Sequence, residues 1–205
     1  MKSTTLLASL AAAATLVLAI PSSRADGFGE VVVGIANPIG DSDYDNAVDT
    51  SFKLGVRAGE LGKNGLGFEG ALDWTPISDN YGGSVLGQSL DVSWQRFRLQ
   101  GGLRFGKVLG SHNLMVFGRA LAGVDIIHTS VSATVLGQTS SSSDTDTGLA
   151  LEFGGGILVD AGPVVLGGQL AIPFGFHFDN SSTDNVDRSY TAIDLDILFT
   201  ASTSF

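Results

Sequence analysis

The sequence contains no cysteine, which excludes disulfide bonds and attachment through a lipidated cysteine. It is also poor in charge, with 16% Asp, Glu, Lys and Arg against about 25% in ordinary soluble domains, and its mean hydropathy is +0.27. After residue 20, no uncharged apolar run reaches the roughly 18 residues that a membrane-spanning helix needs. Helical periodicity is missing from the same region. The apolar surplus must therefore be accommodated by an architecture other than a transmembrane helix.

The first 25 residues have the composition of an export signal. Lys2 precedes an apolar run over residues 6–20, and small residues surround a processing site that ends at Ala25. We expect cleavage after Ala25, leaving one domain at residues 26–205. A short membrane anchor is the alternative, although about 15 apolar residues are few for a span. Cleavage leaves 9 basic and 21 acidic residues, a net charge of −12, which makes nucleic acid an unsuitable partner.

Polar and apolar residues alternate with period 2 through most of the remaining chain, which is typical of strands with one apolar face. In one segment, residues 89–105, the apolar residues move from even to odd numbers, and this predicts a β-bulge near Gln95 and Arg96. Two separate strands are the alternative, but no turn residues lie at the break. Eight segments are predicted, at residues 28–38, 51–60, 66–76, 89–105, 113–128, 147–159, 164–178 and 189–205.

The connections between these segments differ systematically in length. Those after the second, fourth and sixth segments are short, whereas the others are long and rich in Asp, Ser, Asn and Gly. Short turns at one rim and long loops at the other are typical of outer-membrane barrels. We therefore predict an all-β fold, an eight-stranded antiparallel up-and-down transmembrane barrel. Eight strands leave an interior just wide enough for side chains, so an open diffusion pore is not expected.

The polar faces of the segments carry nearly balanced charge, six cations against seven anions. Charges enclosed in a narrow barrel must be paired, because desolvation of an unpaired charge is costly. The balance therefore indicates that the polar faces point inward. The predicted interior charge network comprises Lys53, Arg57, Glu69, Asp73, Asp91, Arg96, Arg98, Arg104, Arg119, Asp125, Glu152, Asp194 and Asp196.

The aromatic residues are predicted to lie at the two ends of the strands, as in the girdles at membrane interfaces. Phe28, Phe105 and Phe205 fall near the short-turn or terminal ends. The girdle at the other rim would contain Trp74, Trp94, Phe176 and Phe178.

The last segment, "TAIDLDILFTASTSF", places Ile197, Phe199 and Phe205 in one apolar column. With its alternating strands and terminal aromatic, the chain resembles the small eight-stranded outer-membrane barrels of Gram-negative bacteria, the OmpX, Ail and opacity-protein type and the transmembrane domain of OmpA. The resemblance implies that these three residues are a signal read by the barrel-assembly machinery. Thr203 departs from the larger residue that many members have.

The resemblance further implies a monomeric, non-enzymatic protein of the outer membrane that contacts lipids and lipopolysaccharide. Envelope integrity, adhesion to a host or surface ligand, and surface protection are the implied roles. A narrow channel of low conductance is an alternative. No cofactor is predicted.

The first long loop contains Asp41, Asp43, Asp45 and Asp49 at positions that partly match a calcium-binding loop. Asn46 replaces the glycine of that pattern, and its bidentate glutamate is missing. The loop is therefore interpreted as an acidic surface loop, with weak divalent-cation binding as the alternative.

His128 and Ser130 share the outward parity of their strand. Lipid A deacylases of the PagL type carry a similar His-x-Ser pair on a lipid-facing strand, and the resemblance implies a base and a nucleophile. The nearest following glutamate, Glu152, is predicted to point inward. A lipid A acyl hydrolase is therefore a second alternative, beside the simpler interpretation of polar residues at a barrel rim.

Overall fold

The computed structural model describes residues 27–39, 48–77, 83–85, 88–110, 114–136, 138–178 and 189–203. The predicted signal peptide and Phe205 lie outside these ranges. Among the described residues, no helix has the length and hydrophobicity to cross a membrane. The strands are β1 Gly27–Pro38, β2 Ser51–Leu61, β3 Leu66–Ile77, β4 Gly83–Val85, β5 Gln88–Leu109, β6 Leu114–Val135, β7 Gln138–Asp160, β8 Val165–His177 and β9 Tyr190–Ser202.

Eight of these strands form a closed antiparallel ring, as predicted. Each pairs with its neighbours along the chain, β3 pairs with β5, and β9 closes the ring against β1. The closure is in the predicted place, since Val31 lies opposite Ala201 and Ile35 opposite Ile197. The three-residue β4 pairs only with the start of β5, beyond the end of β3. Closure leaves the ring without the unpaired strand edges that lipid cannot hydrogen-bond.

The ring strands are staggered, as a barrel requires. If one follows partners from Gly29 around the ring, the path reaches Ile193, whose carbonyl accepts the amide hydrogen of Ile39 at 2.9 Å. The path therefore returns to β1 ten residues farther along the strand. It passes through Ala58, Gly70, Gly101, Ala122, Leu151 and Phe174.

The predicted β-bulge near Gln95 and Arg96 was wrong. β5 keeps one register with β3 from Trp94 to Phe105 and one register with β6 over its whole length. Trp94 therefore shares the inward column with Arg96. Trp94 is apolar because the barrel interior becomes apolar near this rim, and residues 88–93 lie beyond the ring, so the change of parity needs no extra residue in the strand.

β5, β6 and β7 are 22 to 23 residues long, about twice the length of the other ring strands. Their ends extend beyond the ring as a β-sheet that we call the sheet extension, residues 88–93, 129–136 and 138–146. The long loop predicted after the fifth segment is thus a β-hairpin instead. It turns at Leu136, whose φ is 50° and whose side chain is 91% exposed. Its run of serines lacks apolar alternation, so its strand character leaves no period-2 signal in the sequence.

The outer face of the ring is apolar and exposed. Phe68, Leu99 and Phe199 are 72%, 60% and 69% exposed, although burial of such side chains is normally the main driving force of folding. Soluble monomers rarely expose continuous apolar surface of this kind. A belt of such residues around a closed barrel requires an apolar surrounding.

Candidate functional site: the charged interior of the barrel

The inward columns bury six cations and seven anions side by side. The structure places all the predicted interior residues whose side chains it describes in these columns; only the side chain of Asp91 lies outside the described part. The buried charged residues are Glu30, Lys53, Arg57, Glu69, Asp73, Arg96, Arg98, Arg104, Arg119, Asp125, Glu152, Asp194 and Asp196. Sequence reasoning missed Glu30, because β1 has apolar residues on both faces and its parity gives no clear inward side.

At mid-barrel, Glu152 lies among three cations. Its carboxylate is 2.7 Å from Arg119 Nη2, 3.5 Å from Arg57 Nη2 and 3.7 Å from Lys53 Nζ. Lys53 Nζ is also 3.0 Å from Asp73 and 2.5 Å from Asp196. Glu152 and Lys53 thus each have several partners of opposite charge. Because these partners lie on different strands, the network joins opposite walls of the ring.

Arg104 forms the layer nearest the short turns. Its guanidinium carbon lies 4.2 Å from the centroid of the Phe28 ring and 4.0 Å from that of Phe117. Its nitrogens are 2.8 Å from Glu30 and 3.2 Å from Glu69. Cation–π contacts of this kind are strongest where water is excluded. The prediction that Phe28 belongs to an outer girdle was therefore wrong, since its ring is buried against Arg104.

Near the long-loop rim, Arg96 and Arg98 share two carboxylates. One nitrogen of each arginine lies 2.9 Å from Asp194 Oδ2, and both arginines also contact Asp125. His177 joins this layer with Nε2 3.5 Å from Asp125. Together these contacts tie β5, β6, β8 and β9.

His177 also connects the ring to the sheet extension. Its Nδ1 lies 2.8 Å from Asp146 Oδ2, and its ring stacks on Tyr190 with 4.7 Å between centroids. The sequence gives no indication of these partners, because Asp146 and Tyr190 lie on other strands.

Apolar clusters cover the charges at both ends of the interior. At the short-turn end, Met115, Phe117, Leu158 and Val165 pack together with Leu61. At the long-loop end, Val48, Ile77 and Ala192 pack against Trp94 and Tyr190. Trp94 is therefore part of the inner cap, and its assignment to the outer aromatic girdle was wrong. The two caps enclose the ion pairs, and low local polarity strengthens pairing between charges.

Two inward glycines provide space for these ion pairs. A Cβ at Gly175 would collide with the side chains of Asp125 and Arg96, and one at Gly55 would collide with Asp73. Both positions are in regular strands, so the requirement is for space and not for an unusual backbone conformation.

The structure places the remaining predicted residues on the outer face or outside the described ranges. Trp74, Phe105, Phe176 and Phe178 lie in outward columns, as do Ile197 and Phe199 of the predicted assembly signal. Asp41, Asp43 and Asp45 lie outside the described residues, and the backbone carbonyl of Asp49 accepts a hydrogen bond from Ser51. Within the described part of the chain, no group of three or more potential ligands could hold a metal ion.

His128 and Ser130 also share the outward column of β6. His128 Nδ1 lies 3.0 Å from Thr145 Oγ1 on the neighbouring strand. Glu152 is on the opposite side of the wall, buried and bound to Arg119. It is thus not positioned to orient His128 as a catalytic base.

The arrangement as a whole can stiffen the wall of the ring. Buried ion pairs on seven ring strands cross-link the barrel, and Gln169 of β8 joins them by hydrogen bonds to Arg57 and Glu30. The caps pack over both ends of the network. Removing one partner would leave an uncompensated buried charge, which typically costs about 3–5 kcal/mol.

No family model matches the chain, and no curated protein matches it by sequence. Among solved structures, Ail, the attachment invasion locus protein of Yersinia pestis, is 18% identical, with 86% of this chain and 98% of that chain covered and a TM-score of 0.50. Neisserial surface protein A is 12% identical, with 88% and 97% covered and a TM-score of 0.51. A major outer membrane protein from Thermus thermophilus is 13% identical, with 89% and 100% covered and a TM-score of 0.53. The chain therefore has the fold of the small eight-stranded outer-membrane barrels.

Proposed function

We propose that the protein is an integral outer-membrane barrel with a non-enzymatic, structural role. One observation carries this proposal: charges fill the inside of a closed ring while large apolar side chains are exposed outside it. This distribution is the reverse of a soluble barrel and suits a ring surrounded by lipid. A signal peptide at residues 1–25 would direct export, and the apolar column ending at Phe205 would serve recognition by the assembly machinery.

The membrane location is tested by electrophoretic mobility of the outer-membrane fraction, with and without boiling. A folded barrel of this kind resists detergent until heated, so the unheated protein should migrate differently from the boiled protein. The proposal would be contradicted by a soluble periplasmic protein with one mobility under both conditions.

The interior favours a filled scaffold over a channel. Ion pairs connect the walls at three levels, and apolar side chains pack at both ends. Planar-bilayer recording of the purified protein should therefore show no steady single-channel steps. Reproducible steps of fixed size would instead favour the narrow channel.

The scaffold would display the sheet extension on the side of the long loops, the outer surface of such barrels. The extension is dominated by Ser and Thr and carries Asp144 and Asp146, so it offers hydrogen-bonding groups and negative charge. Envelope integrity, adhesion and surface protection are the roles that this display could serve. Whole-cell binding assays that compare wild type with a strain lacking the extension test the adhesive role directly.

A further inference from the structure

A groove runs along the outer face at the short-turn rim, with a volume of about 850 Å³. The groove is shallow and open on its outer side, so it suits a ligand that lies along the surface. We call it the rim groove; its walls are formed by Asn64, Leu66, Phe105, Lys107, Val116 and Gly118.

Backbone contacts hold the walls of the rim groove in place. In the turn between β2 and β3, Gly65 has a φ of 79°. The amide of Gly65 donates a hydrogen bond to the carbonyl of Gly62 at 2.8 Å. The amide of Gly106 donates to the Gly65 carbonyl at 2.7 Å, which fixes the turn against β5. The groove is therefore formed by ordered strands and a hydrogen-bonded turn.

Gly118 supplies the open space between Phe105 and Val116. A Cβ added there would meet the Phe105 ring at 3.6 Å and the Gly154 carbonyl at 3.7 Å, both ordinary contacts. A larger residue would therefore fit at this position, and packing does not require a glycine there. Its effect is to leave an apolar gap in the outer wall.

Lys107 gives the rim groove a charged end. In the described part of the chain, Lys63 and Lys107 are the two basic residues outside the barrel interior, and both lie at this rim. Lys107 is exposed and outward, two residues from the end of β5, where a lysine reaches the membrane interface. The acids of this rim, Glu60 and Asp160, do not line the groove.

We propose that the rim groove binds one anionic glycerophospholipid, with an acyl chain between Phe105 and Val116 and the headgroup phosphate on Lys107. The apolar walls can pack against the acyl chain of the lipid, and the ammonium group of Lys107 can pair with the phosphate of the headgroup. Short turns mark the periplasmic rim of such barrels, whereas lipopolysaccharide occupies the opposite leaflet. The inference rests on the proposed membrane location.

Native mass spectrometry of the detergent-solubilised protein tests the site. With phosphatidylglycerol and phosphatidylcholine of equal chain length added separately, wild type should retain phosphatidylglycerol about fivefold better, the factor that one interfacial lysine provides. Lys107→Gln should abolish this preference, and Gly118→Leu should lower retention of both lipids by filling the gap.

Two matched variants control for general effects. Lys63→Gln removes a cation from the same rim, and Gly168→Leu adds a side chain at an outward glycine of β8 whose nearest neighbour is 3.9 Å away. Both should retain lipid like wild type. Equal retention of the two lipids by wild type, or equal retention by the Gly118→Leu and Gly168→Leu variants, would overturn the site. The heat-dependent mobility shift reports separately on the membrane barrel, so failure of the site is distinguishable from failure of the proposed function.

Discussion

At the scale of single residues, Arg104 is a cation buried in the layer nearest the short turns. It is held by Glu30, Glu69 and two aromatic rings, all with little access to water. Arg104→Met should lower the free energy of unfolding by about 3–5 kcal/mol, because both carboxylates lose a partner while staying buried. Urea unfolding in lipid vesicles, followed by the electrophoretic mobility shift, measures the loss.

A double variant separates the charge effect from the packing effect. Arg104→Met combined with Glu30→Gln removes both signs, so it should be more stable than Arg104→Met alone. The exposed Lys63→Met should change stability by no more than about 0.5 kcal/mol. Unfolding of Arg104→Met at the wild-type urea concentration would show that the buried network does not stabilise the barrel.

Gly175→Ala tests whether the interior has spare volume. The new methyl group would collide with the Arg96–Asp125 pair, and overpacking of a filled interior typically costs about 1–3 kcal/mol. Gly70→Ala is the matched control on the outer face, where the nearest atom to the new Cβ is 3.8 Å away. Equal urea midpoints for the two variants would contradict the close packing of this layer.

At the residue scale, sequence parity predicted most of the interior charges but misplaced the residues near the rims. Lys53 and Arg57 alternate with clearly apolar residues, so the sequence assigns them to the polar face of their strand without ambiguity. Phe28 and Trp94 are apolar yet point inward, because the interior changes from charged to apolar at both ends. Alternation of polar and apolar residues alone therefore does not predict which face of a strand points into the barrel.

At the scale of elements, the sheet extension should be separable from the ring. Its backbone pairings join β5, β6 and β7 to one another and β5 to β4. Asp146 connects it to His177 and Tyr190 of the ring, and this contact lies outside the segment replaced below. Replacing residues 131–142 with Asn-Gly would connect the paired residues Ser130 and Ser143 through a two-residue hairpin turn. The shortened protein should keep its heat-dependent mobility shift and its urea midpoint.

The result distinguishes a surface role of the sheet extension from a role in stabilising the barrel. Loss of the mobility shift in the shortened protein would mean that the extension is needed for barrel stability. Retention of the shift with altered cell binding would support the proposed surface role. The full-length protein carrying only Ser141→Ala provides the control for expression.

The strands of the ring were predictable as elements, whereas the lengths of three of them were not. Apolar alternation marks only the part of a strand with one face in an apolar environment. β7 begins nine residues before the predicted segment, at Gln138, because its serines and threonines form hydrogen-bonded strand without apolar contacts. The short β4 was missed because three residues are too few to show a period-2 pattern.

At the scale of the whole molecule, the apolar outer face of the ring should meet lipid and the charged interior should not. The two tryptophans report on opposite sides: Trp74 is in an outward column, and Trp94 packs in the inner cap. Lipids brominated near the headgroup quench tryptophan fluorescence on contact. Trp94→Phe and Trp74→Phe leave one reporter each.

The most direct test is therefore fluorescence of these two single-tryptophan proteins in vesicles with and without brominated lipid. Quenching should be strong when only Trp74 remains and weak when only Trp94 remains. Equal quenching of both, or protection of Trp74, would contradict a barrel whose apolar outer face lies in the membrane and whose interior is sealed.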